Sequence, residues 1–494
     1  MRYEFEKAQA DGYNYNFWKL FIFSFCISAI AYGVFIRMHF SLDSYSVYFE
    51  ENADIHIKNA RYVNYIIGTL LLKWGMNPVV YQCLFSGVLI ISIAWCIARL
   101  TFFMNSIINC ENSRGRLFYI NIIISLGFIN VFLVEWFLYP EITLYYSLSV
   151  VFSVEAALIL LKGQTLKNYI VSFVLLEFSL FSYQAAMPIF MIIYLSYLLL
   201  ENDFFLKKKE IKSAIGGILV GFLGSLSVII LQKAIDIGES RTASLNLKHI
   251  FFNLKQLFVF QKNLWTNQLG FLPCFLVLLL IILALFFLLI TLKKKRKFYT
   301  ILTLIIGYSI IFAPHIVSQE LWLPERTIVA YWCFISVIGL MLLQIAVRYN
   351  IVHLIGIGFI VILFVNISSI WGISRNHFQS NQKDYQYALE IQKVIEDYER
   401  DYNIVVTQIA TCRDQAFEFS YPEIEYVYCD TNTKCFSVDW GDVTAINYYN
   451  SEHYEKIAMD EEIYKKHFEG KDWKMFNSTE QMIFVEEKLY LCFY

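Results

Sequence analysis

Apolar residues occur along this chain in long blocks rather than in alternation. From Phe17 to Trp371, apolar runs of about 20 residues recur, each long enough to cross roughly 30 Å of hydrocarbon as a helix. The pattern predicts eleven spans, at 17–38, 79–100, 117–135, 142–161, 168–183, 185–200, 213–232, 271–292, 298–314, 327–347 and 351–371. The Tyr183–Gln184 pair and Pro188 divide the long block 168–200 at a tight turn. The stretch 65–72 is too short to span and reads as an interfacial or re-entrant piece. The first run is too long for a cleavable signal, and no small-x-small pattern follows it.

The pattern changes after Trp371. DYQYALEIQKVIEDYERDY (384–402) is apolar at helical spacing, and NIVVTQIA (403–410), IEYVYCD (424–430), MIFVEE (482–487) and LYLCFY (489–494) read as short strands. The expected fold is a polytopic α-helical membrane domain over 1–375, with a long loop at 39–78, followed by a small α/β domain over 376–494. Composition agrees. Of 494 residues, 57% are hydrophobic and 18% aromatic, with a mean hydropathy of +0.50. Only 17% are charged, against about 25% in a soluble domain. Nothing in the chain fits a nucleic-acid partner.

Net charge is −2 and says little, because the charges are segregated. Arg2, Lys7 and Lys19, then Arg99, Arg114 and Arg116, Lys162 and Lys167, Lys207–Lys209 and Lys212, the KKKRK run 293–297, and Arg348 alternate onto one side. The short loops on the other side, 136–141, 183–188 and 314–326, hold a single positive residue, Arg326. The positive-inside rule then makes the N-terminus cytoplasmic, and an odd span number places the tail outside. Of ten cysteines, six lie in or beside spans. Cys412, Cys429, Cys435 and Cys492 are in the tail, where an oxidising compartment permits two disulfides in three pairings. The C-x5-C at 429–435 lacks zinc-ligand spacing, so disulfides are the preferred reading.

The polar groups that need explaining collect on the outer side. HFSLDSYSVYFEENADIHIKNARY (39–62) carries Asp43, Glu50, Glu51, Asp54 and Arg61. On one helix Asp43, Glu50, Asp54 and Arg61 would share a stripe within about 20°. That helix would separate Asp43 from Arg61 by roughly 27 Å, so a common site requires the loop to fold back near Asn52–Ala53. WFLYPE (136–141) adds Trp136, Tyr139 and Glu141, and HIVSQELWLPERT (315–327) adds His315, Glu320, Trp322, Glu325 and Arg326. Carboxylates can deprotonate a hydroxyl and cations can hold a phosphate. An ordinary interfacial belt accounts for most of Trp136, Tyr139, Trp265 and Trp322. Glu135 stands near the outer end of its span, where it can line a site. Glu155 and Glu177 lie at membrane depth with no evident basic partner, which favours helix-to-helix hydrogen bonds over an ion pathway.

The first-loop Asp43 with NARYVNYIIGTLL (59–71), SYQAAMPIF (182–190) and LPERTIVAYW (323–332) resembles the bacterial GtrII-type glucosyltransferases over about 1–375. Ala60 departs from that pattern, in which glycine is expected before the arginine. The resemblance implies a GT-C-like enzyme of the bacterial inner membrane. It would move glucose, or a related hexose, from a polyprenyl phosphate to a surface polysaccharide such as lipopolysaccharide O-antigen, with inversion. A separate cytoplasmic glycosyltransferase and a flippase would supply the donor. It implies Asp43 as general base, Arg61 and Arg326 on the donor phosphate, and Tyr183 and Gln184 on sugar or phosphate. Glu50, Glu51, Asp54 and Glu141 are supporting acidic candidates, and His315 and Glu320 are further candidates for binding the donor phosphate or sugar. The carboxylates would suffice for a divalent cation, and no metal is assigned. An O-antigen polymerase or ligase and a transporter of lipid-linked sugars are the competing readings.

Overall fold

The computed structural model describes residues 13–49, 56–57, 59–108, 114–235, 247–265, 275–318, 321–424 and 431–494. In chain order the helices of its membrane part are α1 (Tyr13–Tyr32), α2 (Ser44–Phe49), α3 (Tyr62–Lys73), α4 (Gln82–Ile107) and α5 (Arg114–Leu126). They continue with α6 (Val134–Leu138), α7 (Thr143–Lys162), α8 (Leu166–Ser182), α9 (Met187–Glu201) and α10 (Lys208–Ile235). The last are α11 (Leu247–Trp265), α12 (Phe275–Thr291), α13 (Lys294–Ile316), α14 (Ala330–Tyr349) and α15 (Val352–Tyr402). Eight helices among the described residues have the length and apolarity to cross a membrane: α1, α4, α7, α9, α10, α13, α14 and α15. The apolar parts of α5 and α12 are shorter. Long helices satisfy every backbone group internally, as hydrocarbon requires.

α14 and α9 form the centre, buried along almost their whole length. Close approach there depends on Gly339, where a Cβ would lie 2.7 Å from the Phe359 ring of α15 and 2.8 Å from Ile123 of α5. A small residue at that crossing lets the helices meet.

Three departures from the expected spans have physical causes. The run 117–135 is not one helix. α5 ends at Leu126, and the chain turns at Asn130, whose Oδ1 accepts from the backbone N–H of Phe132 and Leu133, both at 3.1 Å. Tyr32 seals the turn by hydrogen bonds to the Asn130 backbone, so a polar side chain replaces helix bonds inside the protein. Second, Glu155 does have a basic partner. α4 runs on to Ile107, which puts Arg99 inside the helix facing α7, its Nε donating to Glu155 at 2.7 Å and its Nη2 at 2.9 Å. The Trp95 indole completes that carboxylate at 3.1 Å. Glu177 takes the expected helix-to-helix bond, accepting from Ser227 of α10. Third, no break separates the last span from the tail. α15 is one helix of 51 residues, about 76 Å long, apolar first and amphipathic beyond.

The tail builds a four-stranded sheet from β1 (Gln408–Arg413), β2 (Glu455–Ile457), β3 (Met482–Val485) and β4 (Lys488–Phe493), in the order β2-β1-β4-β3. β1 is parallel to both neighbours, and β3–β4 is a hairpin. Most of the strand expected at 424–430 lies outside the described residues, as does Cys429. Cys412, Cys435 and Cys492 are free thiols, with Cys412 and Cys492 facing each other in register across β1 and β4. The tail shares its core with the membrane part. Phe40, Tyr45 and Val79 are buried in one cluster with Ile391, Ile409, Leu491 and Phe493. Asn381 of α15 also pairs in both directions with the Phe40 backbone, at 2.8 and 3.0 Å.

Removing one member of the Arg99–Glu155 pair strands a charge, whereas removing both does not. Arg99→Leu is expected to destabilise the detergent-purified protein by about 2–3 kcal/mol, discounted for the pair's partial exposure. The double variant Arg99→Leu/Glu155→Leu recovers most of that loss. Thermal unfolding of the two variants side by side checks it.

Candidate functional site

The segment Val134–Ile142 organises the face of the molecule on which the tail sits. α6 is a single turn and a 3-10 turn, Pro140–Ile142, follows it, so successive side chains point to different neighbours. Glu135 is almost fully buried. It accepts the backbone N–H of Arg326 at 2.7 Å and is ion-paired to the Arg326 guanidinium. That guanidinium lies between the rings of Tyr139 and Trp322, at 4.5 and 4.6 Å. The Trp136 indole donates to the Arg326 carbonyl at 2.9 Å. Trp136 and Tyr139 are therefore buried wall residues and not members of a lipid-facing belt.

Trp136 passes the arrangement on. It stacks on Tyr146 at 4.7 Å, and Tyr183 meets both rings edge-on. The Arg61 guanidinium rests 5.2 Å from the Tyr183 ring. Its Nε is buried without a hydrogen-bond partner, and Arg61 has no ion pair among the described residues. The turn that presents Arg61 is tight: Ala60 has φ +55°, and the N–H of Arg61 reaches back to the His56 carbonyl at 2.8 Å. The left-handed region favours glycine over alanine, which explains why glycine is the expected residue there. Gln184 compensates by donating to the carbonyls of Asn59 and Ala60, at 3.0 and 3.3 Å. Gln184 thus holds the loop that carries Arg61.

Glu141 leads the other way. Its two carboxylate oxygens accept from Ser41 and Ser44, each at 2.9 Å, and Ser41 also receives the Asp43 N–H at 3.1 Å. Glu141 thereby clamps the turn on which Asp43 stands, close enough for the Asp43 charge to act on it. Asp43 is half-buried at the start of α2 and accepts from the Trp440 indole of the tail at 2.9 Å. Asp43 immediately precedes α2, which ends at Phe49, and Arg61 caps α3; the fold-back expected near Asn52–Ala53 lies outside the described residues.

Asp43, Glu141, Arg61, Tyr183, Gln184 and Arg326 thus stand on one connected wall. His315 lies on α13 with Nε2 3.5 Å from the Thr327 carbonyl, at the edge of the Arg326 turn. Glu50, Glu51, Asp54 and Glu320 lie outside the described residues. Among the described residues no three His, Cys, Asp or Glu side chains converge as a metal site. Sequence reading missed Ser41 and Ser44, although the S-x-x-S around Asp43 is a turn signal, and it missed Trp440, which nothing nearby flags.

His56 faces Tyr145 edge-on, and burial together with the Arg61 charge pushes it down to about 3. It is neutral when folded but takes a proton when unfolded below about 6.5. Its contribution is therefore intact at neutral pH and lost as pH falls from about 6.5 toward 3. Lowering pH from 7.5 to 4.5 should cost wild type about 1–2 kcal/mol more than His56→Gln, after a discount for partial exposure. Thermal midpoints at both pH values read this.

A search of curated proteins and of solved structures finds no match. The family model described as glucosyl transferase GtrII matches residues 32–343, from the end of α1 through most of α14. That span holds every wall residue from Asp43 to Arg326 and stops short of the tail. With well over half of its length matched, the chain belongs to the GtrII glucosyl transferase family.

Proposed function

We propose that this protein transfers a glucosyl unit from a polyprenyl-phosphate sugar to a hydroxyl of a surface polysaccharide such as lipopolysaccharide O-antigen. The reaction would take place at the outer face of the bacterial inner membrane. Family membership supports glucosyl transfer. The observation that carries the rest is the pairing, on one wall, of a half-exposed carboxylate with an arginine that has no counter-ion among the described residues. Asp43 takes the proton of the acceptor hydroxyl as its oxygen attacks the anomeric carbon. The bond from that carbon to the phosphate oxygen breaks on the opposite side, with inversion, and the departing phosphate's charge is met by Arg61. Arg326 is less suited to the phosphate than Arg61, because its guanidinium is committed to Glu135 and two rings. Its part is to hold the wall. Glu141 keeps the Asp43 turn in place.

A transporter reading draws no support from Glu155 and Glu177, which are engaged in helix-to-helix contacts. The donor would come from a cytoplasmic glycosyltransferase and a flippase, which agrees with a site on the face opposite the lysine runs.

In membranes supplied with polyprenyl-phosphoglucose and the cells' own polysaccharide, Asp43→Asn should lower transfer on the order of 10²–10⁴-fold. Full activity in that variant would remove Asp43 from the role of base. Arg61→Ala should raise the donor KM, with Arg61→Lys restoring part of it as a point charge. Alkaline phosphatase fused after Tyr494 should be active, and after Arg348 inactive; the reverse pattern would overturn the orientation.

A further inference from the structure

The tail lies outside the family-matched residues, yet it reaches the wall at Asp43 through Trp440. The indole N–H is bonded to Asp43 while 54% of the residue stays exposed. A large aromatic with its N–H engaged and its ring in solvent presents a flat apolar face beside a polar group. That face stands next to the carboxylate assigned above as the base.

The position is built in, by three observations independent of the Trp440 bond. At Gly441 a Cβ would lie 2.7 Å from the Cys435 carbonyl oxygen and 3.2 Å from that of Leu42, the residue preceding Asp43. Glycine is what lets the two backbones approach so closely. The helix that follows, α16 (Asp442–Asn450), is seated on α2 through the Tyr45 and Tyr449 hydroxyls, 2.5 Å apart, and through Tyr448 against Phe40 and Tyr48. The turn is braced from the sheet side as well. Asp442 is fully buried, ion-paired to Lys456 at 2.7 Å and hydrogen-bonded by Thr411 at 2.6 Å. Arg413 of β1 holds Asp439 at 2.8 Å.

We infer that Trp440 is the acceptor subsite of the reaction proposed above. Its ring face stacks on the sugar ring of the acceptor polysaccharide, and its N–H positions the Asp43 carboxylate against that sugar's hydroxyl. The tail then supplies the specificity for the acceptor, while the matched family segment supplies donor and base. The ligand class is a neutral or mildly polar pyranose within a glycan chain, because the exposed face offers stacking area and no charge. Stacking supplies acceptor affinity and the N–H bond supplies orientation, so the two contributions separate by substitution.

The test uses the full-length protein in membranes, polyprenyl-phosphoglucose as donor, and polysaccharide isolated from the producing cells as acceptor. Trp440→Phe keeps a ring and loses the N–H; it should hold the acceptor KM within about twofold and lower kcat about tenfold, a loss of about 1.4 kcal/mol in the transition state. Trp440→Ala loses both functions and should also raise the acceptor KM about tenfold, with the donor KM unchanged in each variant. Gly441→Ala, which displaces the turn without touching the indole, should raise the acceptor KM in the same direction. Thermal midpoints matching wild type establish that the variants are folded. Two outcomes overturn the inference alone: wild-type acceptor KM in folded Trp440→Ala, or equal rises of donor and acceptor KM. Absence of transfer by the wild-type protein overturns the glucosyl-transfer reading and the inference together.

Discussion

One buried carboxylate, Glu135, is the constraint on which this face of the molecule depends. It takes both the backbone N–H and the guanidinium of Arg326 and so ties the chain after α13 to the short helix α6. Removing one partner of such a pair leaves an unmatched charge, at a cost of about 3–5 kcal/mol. From this pair the arrangement spreads both ways. Through Trp136 and Tyr183 it sets the plane on which Arg61 rests, and through Tyr139, Pro140 and Glu141 it reaches the serines that flank Asp43. The two arginines of the wall are chemically alike but differently placed. Arg326 is neutralised and sandwiched; Arg61 keeps its charge available beside an aromatic face.

Local pattern revealed much of this. The apolar blocks mark the crossing helices because length and uniform apolarity are properties of the chain alone. The break after Ser182 was legible from Tyr183, Gln184 and Pro188, and the helix indeed ends at Ser182 and restarts at Met187. What escaped was set by partners distant in sequence. Asn130 ends a helix in the middle of an apolar run because Tyr32 waits for it, 98 residues away. Arg99 passed for a loop charge because its acceptor is on another span. Trp136 and Tyr139 resemble an interfacial belt in composition, and only packing shows them facing inward.

The candidate site divides the same way. Asp43 and Arg61 stood out as charges beside apolar segments and through motifs shared with a family. Glu141 stood out only as one carboxylate among several, since its role comes from Ser41 and Ser44 closing on it from 100 and 97 residues away. Ala60 marks a tension between local and tertiary preference. Its backbone takes the left-handed region that alanine disfavours, and Gln184, from another span, holds the neighbouring carbonyls in place.

The uninterrupted course of α15 carries a mechanical consequence. A hinge needs a residue or two that can absorb a change of backbone angle, and the 51-residue helix presents none between bilayer and sheet. The first part of the tail therefore continues the helix of a candidate span without a break. Bilayer thickness and helix tilt are coupled. Because the tail also shares a core with Phe40, Tyr45 and Val79 and bonds to Asp43, a change in the tilt of that span carries the Asp43 turn and Trp440 along together.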